Sequence, residues 1–136
     1  MSIRRICLAL VASLCMSASV SAIVRNPMIW ADVPDPDVIR VGEYYYMVTT
    51  TMHLMPGAPI MRSKDFSNWE TVGYLFDRLT DSPKYDMEGG TVYGRGQWAT
   101  SLKYHKGTFY ALFAPNDNLG GDTCIMTSKD AAGPWK

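Results

Sequence analysis

Two stretches of this chain repeat one another, and a repeat built from strand-turn-strand units leaves few folds open. Ile39-Arg40-Val41-Gly42-Glu43-Tyr44-Tyr45-Tyr46-Met47-Val48 is echoed by Leu102-Lys103-Tyr104-His105-Lys106-Gly107-Thr108-Phe109-Tyr110-Ala111-Leu112-Phe113, with a two-residue insertion before the glycine. Downstream, Arg62-Ser63-Lys64-Asp65-Phe66-Ser67-Asn68-Trp69 is echoed by Thr127-Ser128-Lys129-Asp130-Ala131-Ala132-Gly133-Pro134-Trp135, each after a short apolar run ending in Met61 or Met126. Gly42 to Gly107 and Asp65 to Asp130 span the same 65 residues. Thr71-Val72-Gly73-Tyr74-Leu75-Phe76 supplies a further apolar run suited to a strand. No segment sustains a helical period with caps, so the chain reads as all-β.

Four short strands per unit, with an aromatic at a fixed place, is the pattern of propeller blades. A single meander or sandwich carrying a chance echo is the alternative, and matches at both ends of the unit with one offset argue against it. The second unit reaches Trp135-Lys136, the place held by Trp69-Glu70 in the first. Propellers close with roughly four blades or more. The expectation is therefore one complete blade and most of a second, with an edge left unpaired.

The first residues read differently from the rest. Arg4 and Arg5 precede the apolar run Ile6 to Met16, and small residues follow at Val20-Ser21-Ala22, the pattern of a secretory signal peptide over residues 1–22. Its run falls short of the roughly 18 apolar residues a membrane span needs, as does every later stretch. A secreted or periplasmic protein spanning residues 23–136, with no membrane association after cleavage, is expected. Those residues carry 11 Lys and Arg against 13 Asp and Glu, a balance that offers no basis for binding nucleic acid. Cys7 and Cys15 fall in the leader, and Cys124 alone can build neither an internal disulfide nor a thiolate metal site. It reads as a small buried hydrophobe.

Chemistry concentrates in Asp32-Val33-Pro34-Asp35-Pro36-Asp37, immediately before the first hairpin. Each proline fixes its own φ and drives the residue before it toward extended backbone, so Asp35 is expected on an extended segment with little freedom. A carboxylate held in advance suits a general base. Asp37 lies two residues further on, projecting to a similar side, where it can support Asp35 or cap a turn. On residue type alone all three aspartates also read as solvated turn residues. Their spacing lacks the Glu that closes an EF-hand, and His53 and His105 stand far apart, so neither a metal nor a cofactor is assigned.

These residues resemble glycoside hydrolase family 43. The resemblance runs through Asn26-Pro27, Pro34-Asp35-Pro36, Ile39-Arg40-Val41-Gly42, Tyr44-Tyr45, Pro56-Gly57-Ala58-Pro59-Ile60, Ser63-Lys64-Asp65, Asn68-Trp69 and Gly96-Gln97-Trp98-Ala99. It implies a five-bladed β-propeller, of which this chain holds the first blade and most of the second. It also implies inverting hydrolysis of β-xylosides or α-L-arabinofuranosides from plant cell wall polysaccharide, with Asp35 as general base. Sugar rings need flat apolar faces and hydrogen bonds. Trp98, placed before the second hairpin much as Asp35 is before the first, is expected to face the same pocket. Met52 stands where the family commonly has an aromatic, and His53 follows it. The partners are thus xylo- or arabino-oligosaccharides. Trp69 and Trp135 recur with the repeat and read as blade core; Trp30 fits either role. The family's second Asp and its acid Glu belong to later blades, and Glu43, Glu70 and Glu88 match neither. The chain alone is therefore expected to be inactive. A noncatalytic carbohydrate-binding propeller is the alternative function. A fructoside-cleaving relative of the same clan is disfavoured because Val33-Pro34-Asp35-Pro36 lacks its usual tryptophan.

Overall fold

The computed structural model describes residues 25–80, 82–116 and 123–136, so the segment read as a signal peptide lies outside the described residues. Among them, no helix is long and apolar enough to cross a membrane. Among the described residues seven strands form two separate antiparallel sheets. The first has four strands in sequence order: β1 (Asp37–Val41), β2 (Tyr44–Val48), β3 (Gly57–Ser63) and β4 (Glu70–Phe76). The second holds β5 (Ser101–His105), β6 (Thr108–Phe113) and β7 (Cys124–Ser128) in order. A 3-10 turn at Pro83–Asp86, capped by the Ser82 side chain, lies between the sheets in sequence. The all-β reading holds.

Both sheets open with a two-residue hairpin turn, Gly42-Glu43 after Val41↔Tyr44 and Lys106-Gly107 after His105↔Thr108. The first needs positive φ only at Gly42, whereas the second has it at Lys106 and Gly107 alike, so the two glycines occupy different turn positions. The register follows the turns rather than the glycines. Tyr45 pairs with Ser63 as Phe109 pairs with Ser128, which makes Phe109 the counterpart of Tyr45. The 65-residue offset read from the sequence therefore holds for β3 and β7, while β2 and β6 align one residue closer.

That one residue decides which faces meet. Successive strand residues point to opposite faces. Val48, Ile60, Leu102, Phe109, Ala111 and Phe113 fall in one buried cluster, with the Tyr46 and Phe109 rings 5.2 Å apart and Phe76 stacked on Phe113 at 5.3 Å. The first sheet thus meets the second through opposite faces of the repeat, as successive copies stack, and not through the matching faces of a sandwich. The counterparts of Val48 and Ile60 in the second sheet, Leu112 and Ile125, are exposed, Ile125 by 66%. The Ser-Lys-Asp turns recur as expected: Asp65 accepts hydrogen bonds from the Asn68 and Ser67 N–H groups, and Asp130 from that of Ala132. Trp69 and Trp135 are half-buried, each donating its indole N–H to a carbonyl of its own turn. Trp135 packs on the core, and Lys136 pairs with Thr127 where Glu70 pairs with Arg62. Cys124 is half-buried against the core.

Candidate active site

Antiparallel pairing brings the start of β1, the end of β2 and the start of β3 to one end of the first sheet. Asp35 sits there, exposed, with φ of 49°. The expected extended backbone is therefore not what forms at this residue. The Pro34 carbonyl accepts from the Thr50 N–H (3.0 Å) and the Thr49 hydroxyl (2.5 Å), which fixes the peptide plane entering Asp35. Asp tolerates the left-handed region better than most residues. The Thr50 hydroxyl donates to Asp35 Oδ2 at 2.9 Å, so the carboxylate is anchored from the segment that follows β2.

Asp37 goes elsewhere. Its Oδ2 accepts from the Leu102 N–H (2.8 Å), the Lys103 ammonium (3.1 Å) and the Ser101 hydroxyl (3.3 Å), tying the start of β1 to the start of β5. Partial burial raises its pKa, but the Leu102 N–H and the Lys103 charge outweigh that and leave the carboxyl below the ordinary Asp value. Asp37 is a bolt between sheets rather than a support for Asp35. Asp32 is exposed, and among the described residues no three His, Cys, Asp or Glu side chains converge as metal ligands would.

The same end carries a ribbon of three segments. Met52 and Gln97 exchange both backbone hydrogen bonds at 2.9 Å, Gln97 also bridges to Pro115, and the Asn116 N–H donates to the Gly96 carbonyl. Gln97 is 0% exposed. Its Oε1 accepts from the Thr51 N–H (2.7 Å) and hydroxyl (3.1 Å), and its Nε2 donates to the Thr100 hydroxyl (2.7 Å). Gly96 permits this approach: a Cβ there would lie 2.3 Å from the Met52 carbonyl oxygen. Trp98 follows directly and is 40% exposed, with its indole N–H on the Gly94 carbonyl (3.2 Å). His53, half-buried, accepts the Gly94 N–H on Nδ1 at 3.1 Å. Met52 is half-buried with positive φ.

The structure thus gathers Asp35, Met52, His53 and Trp98 at one end of the stacked sheets, linked through Thr50, Thr51 and Gln97. Thr50, Thr51 and Gln97 went unnoticed in the sequence because polar residues of this kind are common in loops. Only the fully buried Gln97 makes them stand out. His105, at the exposed hairpin end of β5, and Glu43 and Glu70, ion-paired to Lys64 and Arg62, lie at the opposite end. Two shallow cavities of about 320 Å³ also lie there, one beside Lys64 and Asp65 and the other beside Lys129 and Asp130. They recur with the repeat and follow from its turns, so they are not assigned to the site. Trp30 is exposed.

Comparison with known proteins gives a consistent match. The pattern of Glycosyl hydrolases family 43 covers residues 24–136. A beta-xylosidase of Formosa agariphila is 42% identical over 110 residues, covering 81% of this chain and 18% of that protein. A non-reducing end alpha-L-arabinofuranosidase of Bacteroides ovatus is 38% identical, covering 82% of this chain and 21% of that protein. Among solved structures, a bifunctional GH43-CE protein of Bacteroides eggerthii superposes with a TM-score of 0.76 at 45% identity, covering 82% of this chain and 14% of that one. The chain spans about a fifth of the length of the curated relatives it matches.

Proposed function

The chain belongs to glycosyl hydrolases family 43, and from that premise we propose that it supplies the general-base portion of a secreted β-xylosidase or α-L-arabinofuranosidase with a five-bladed propeller. The observation that carries the reading is Asp35, exposed yet fixed by the Pro34 carbonyl contacts and the Thr50 hydroxyl, at the end of the sheets where Trp98, Met52 and His53 gather. The exposed row Tyr110, Leu112 and Ile125 supports the propeller reading, since its counterparts Tyr46, Val48 and Ile60 pack against the second sheet.

In an inverting glycosidase a carboxylate base takes a proton from water on one face of the sugar while a carboxylic acid roughly 6.5 to 9.5 Å away protonates the leaving oxygen. Asp35 takes the base role. Thr50 restrains Oδ2, which limits rotation of the carboxylate and leaves Oδ1 to orient the water. Trp98 offers a flat apolar face to the sugar C–H surface, with Met52 and His53 completing the wall. Among the described residues no Glu takes the acid role in this reading: Glu43 and Glu70 are ion-paired at the opposite end and Glu88 lies past the 3-10 turn. Absence of acid assistance typically costs on the order of 10² to 10⁴ in rate, so the chain by itself is proposed to be inactive.

The test joins residues 23–136 in frame to the remaining length of a β-xylosidase relative and assays aryl β-xyloside and aryl α-L-arabinofuranoside. Turnover of either, lost by about 10²-fold or more in Asp35→Asn, is expected. Full activity in Asp35→Asn would remove Asp35 as base, and sugar binding without turnover would favour the noncatalytic propeller. Hydrolysis by the 136-residue chain alone would overturn the proposal that it is inactive.

A further inference from the structure

Tyr93 is 81% exposed, an unusual state for an aromatic side chain, and its surroundings hold it rather than leave it loose. It occupies the second position of a β-turn closed by the Arg95 N–H on the Val92 carbonyl at 2.8 Å. Gly94 supplies the positive φ of 71° that marks the third position of a type II turn. Val92, at the base of the turn, is buried, so the corner is anchored while Tyr93 stands at its tip.

The peptide of Gly94 then organises three rings. Its N–H donates to His53 Nδ1 at 3.1 Å, and its carbonyl accepts the Trp98 indole N–H at 3.2 Å. The His53 and Tyr93 rings lie 4.9 Å apart with planes tilted by 49°. With Nδ1 accepting, the imidazole N–H is on Nε2, a donor of the kind a sugar hydroxyl accepts from. Tyr93 directly precedes Gly94 in the chain and Trp98 is bonded to the Gly94 carbonyl, so both rings are tied to this one residue. Of the two, Trp98 adjoins the buried Gln97, and Tyr93 is the more exposed.

We propose that Tyr93, positioned by His53 and the Gly94 turn, is a sugar-stacking residue that extends the Trp98 wall outward and sets preference for oligosaccharides over single sugar units. This rests on the reading of the Asp35 end as a sugar site. A second ring beyond that of Trp98 offers apolar face that one pentose does not cover, so a substrate of two or more units gains from Tyr93 and a monosaccharide does not. Both xylo- and arabino-oligosaccharides offer the C–H faces that such rings take.

The experiment follows the indole N–H resonances of the 15N-labelled 136-residue chain during titration with xylose, arabinose, xylotriose and arabinotriose. Trp69 and Trp135, whose indoles are bonded within the blade turns, report that each variant keeps its fold. A trisaccharide is expected to shift Trp98, and Tyr93→Ala to weaken that binding roughly tenfold, the factor that about 1.4 kcal/mol corresponds to. Monosaccharide binding should change less than twofold. Tyr93→Phe, which keeps the ring, should retain most of the affinity, and His53→Ala, which removes both the support of Tyr93 and a donor, should weaken trisaccharide binding at least as much as Tyr93→Ala. Trisaccharide affinity unchanged in Tyr93→Ala would overturn the inference and leave the sugar site standing. Failure of every sugar to shift Trp98 would overturn the sugar site itself, and the inference with it.

Discussion

Replacing Gln97 by Leu tests whether its buried side chain ties the segment after β2 to the segment before β5. Gln97 is fully buried and its side chain makes three hydrogen bonds, two on Oε1 from Thr51 and one from Nε2 to Thr100. Leucine has nearly the same bulk, so the variant leaves little cavity and isolates the polar loss. The Thr100 hydroxyl can turn, and Thr51 Oγ1 still accepts from the Ala58 N–H. The Thr51 N–H, fixed by the backbone, has no such recourse. Stranding a buried donor costs about 1–3 kcal/mol and losing a second, reorientable bond about 0.5–1.5, which places the variant roughly 2–4 kcal/mol below the parent. That is a large share of the 5–15 kcal/mol (order of magnitude) that holds a typical domain folded.

Urea unfolding followed by tryptophan fluorescence should show a lower midpoint at unchanged slope, and hydrogen exchange should accelerate at the Thr51 and Met52 amides before the amides of β2. Gln97→Glu provides the complementary sign. Its carboxyl can still accept from Thr51, but burial pushes its folded pKa above the ordinary value of about 4.3. The unfolded chain then ionises first, so stability falls as pH rises through the interval between the two pKa values and levels off above it. A Gln97→Leu midpoint within about 0.5 kcal/mol of the parent, with Thr51 exchange unchanged, would refute the buried tie.

Two further outcomes follow from the same region. Gly96→Ala places a methyl 2.3 Å from the Met52 carbonyl oxygen at a φ of 102°, so the ribbon must separate. A loss of roughly 2 kcal/mol or more in urea unfolding is expected, with the Trp98 indole resonance displaced and that of Trp69 unmoved. For Asp37, the folded carboxyl titrates below 3.8, the ordinary value, so its stabilising contribution is complete above that pH and is lost as pH falls through the folded pKa. Asp37→Asn should remove part of the acid-side fall in stability while lowering stability near neutrality; an acid limb identical to the parent's would contradict the bond to the Leu102 N–H.

The sequence by itself determined what depends on near neighbours along the chain. Alternating aromatic and β-branched residues with two-residue turns define the hairpins. The Ser-Lys-Asp turns with their following tryptophans mark the repeat, and the ordered motifs from Pro34-Asp35-Pro36 to Gly96-Gln97-Trp98-Ala99 identify the family. Tertiary structure decided whatever depends on groups far apart in sequence. Local proline rules predict an extended Asp35, but the hydroxyl of Thr49 and the N–H of Thr50 hold the preceding carbonyl and turn Asp35 to positive φ. Asp37 is two residues from Asp35, yet its partner N–H lies 65 residues away on β5. The glycine spacing of the repeat is equally misleading about register, since a hairpin is aligned by its closing pair and not by which turn position carries glycine. Gln97 belongs to a family motif, but its burial depends on a segment 46 residues away and is not written in its neighbours. Burial and long-range hydrogen bonding are properties of the packed chain, and at these positions they outweigh the weaker preferences written into adjacent residues.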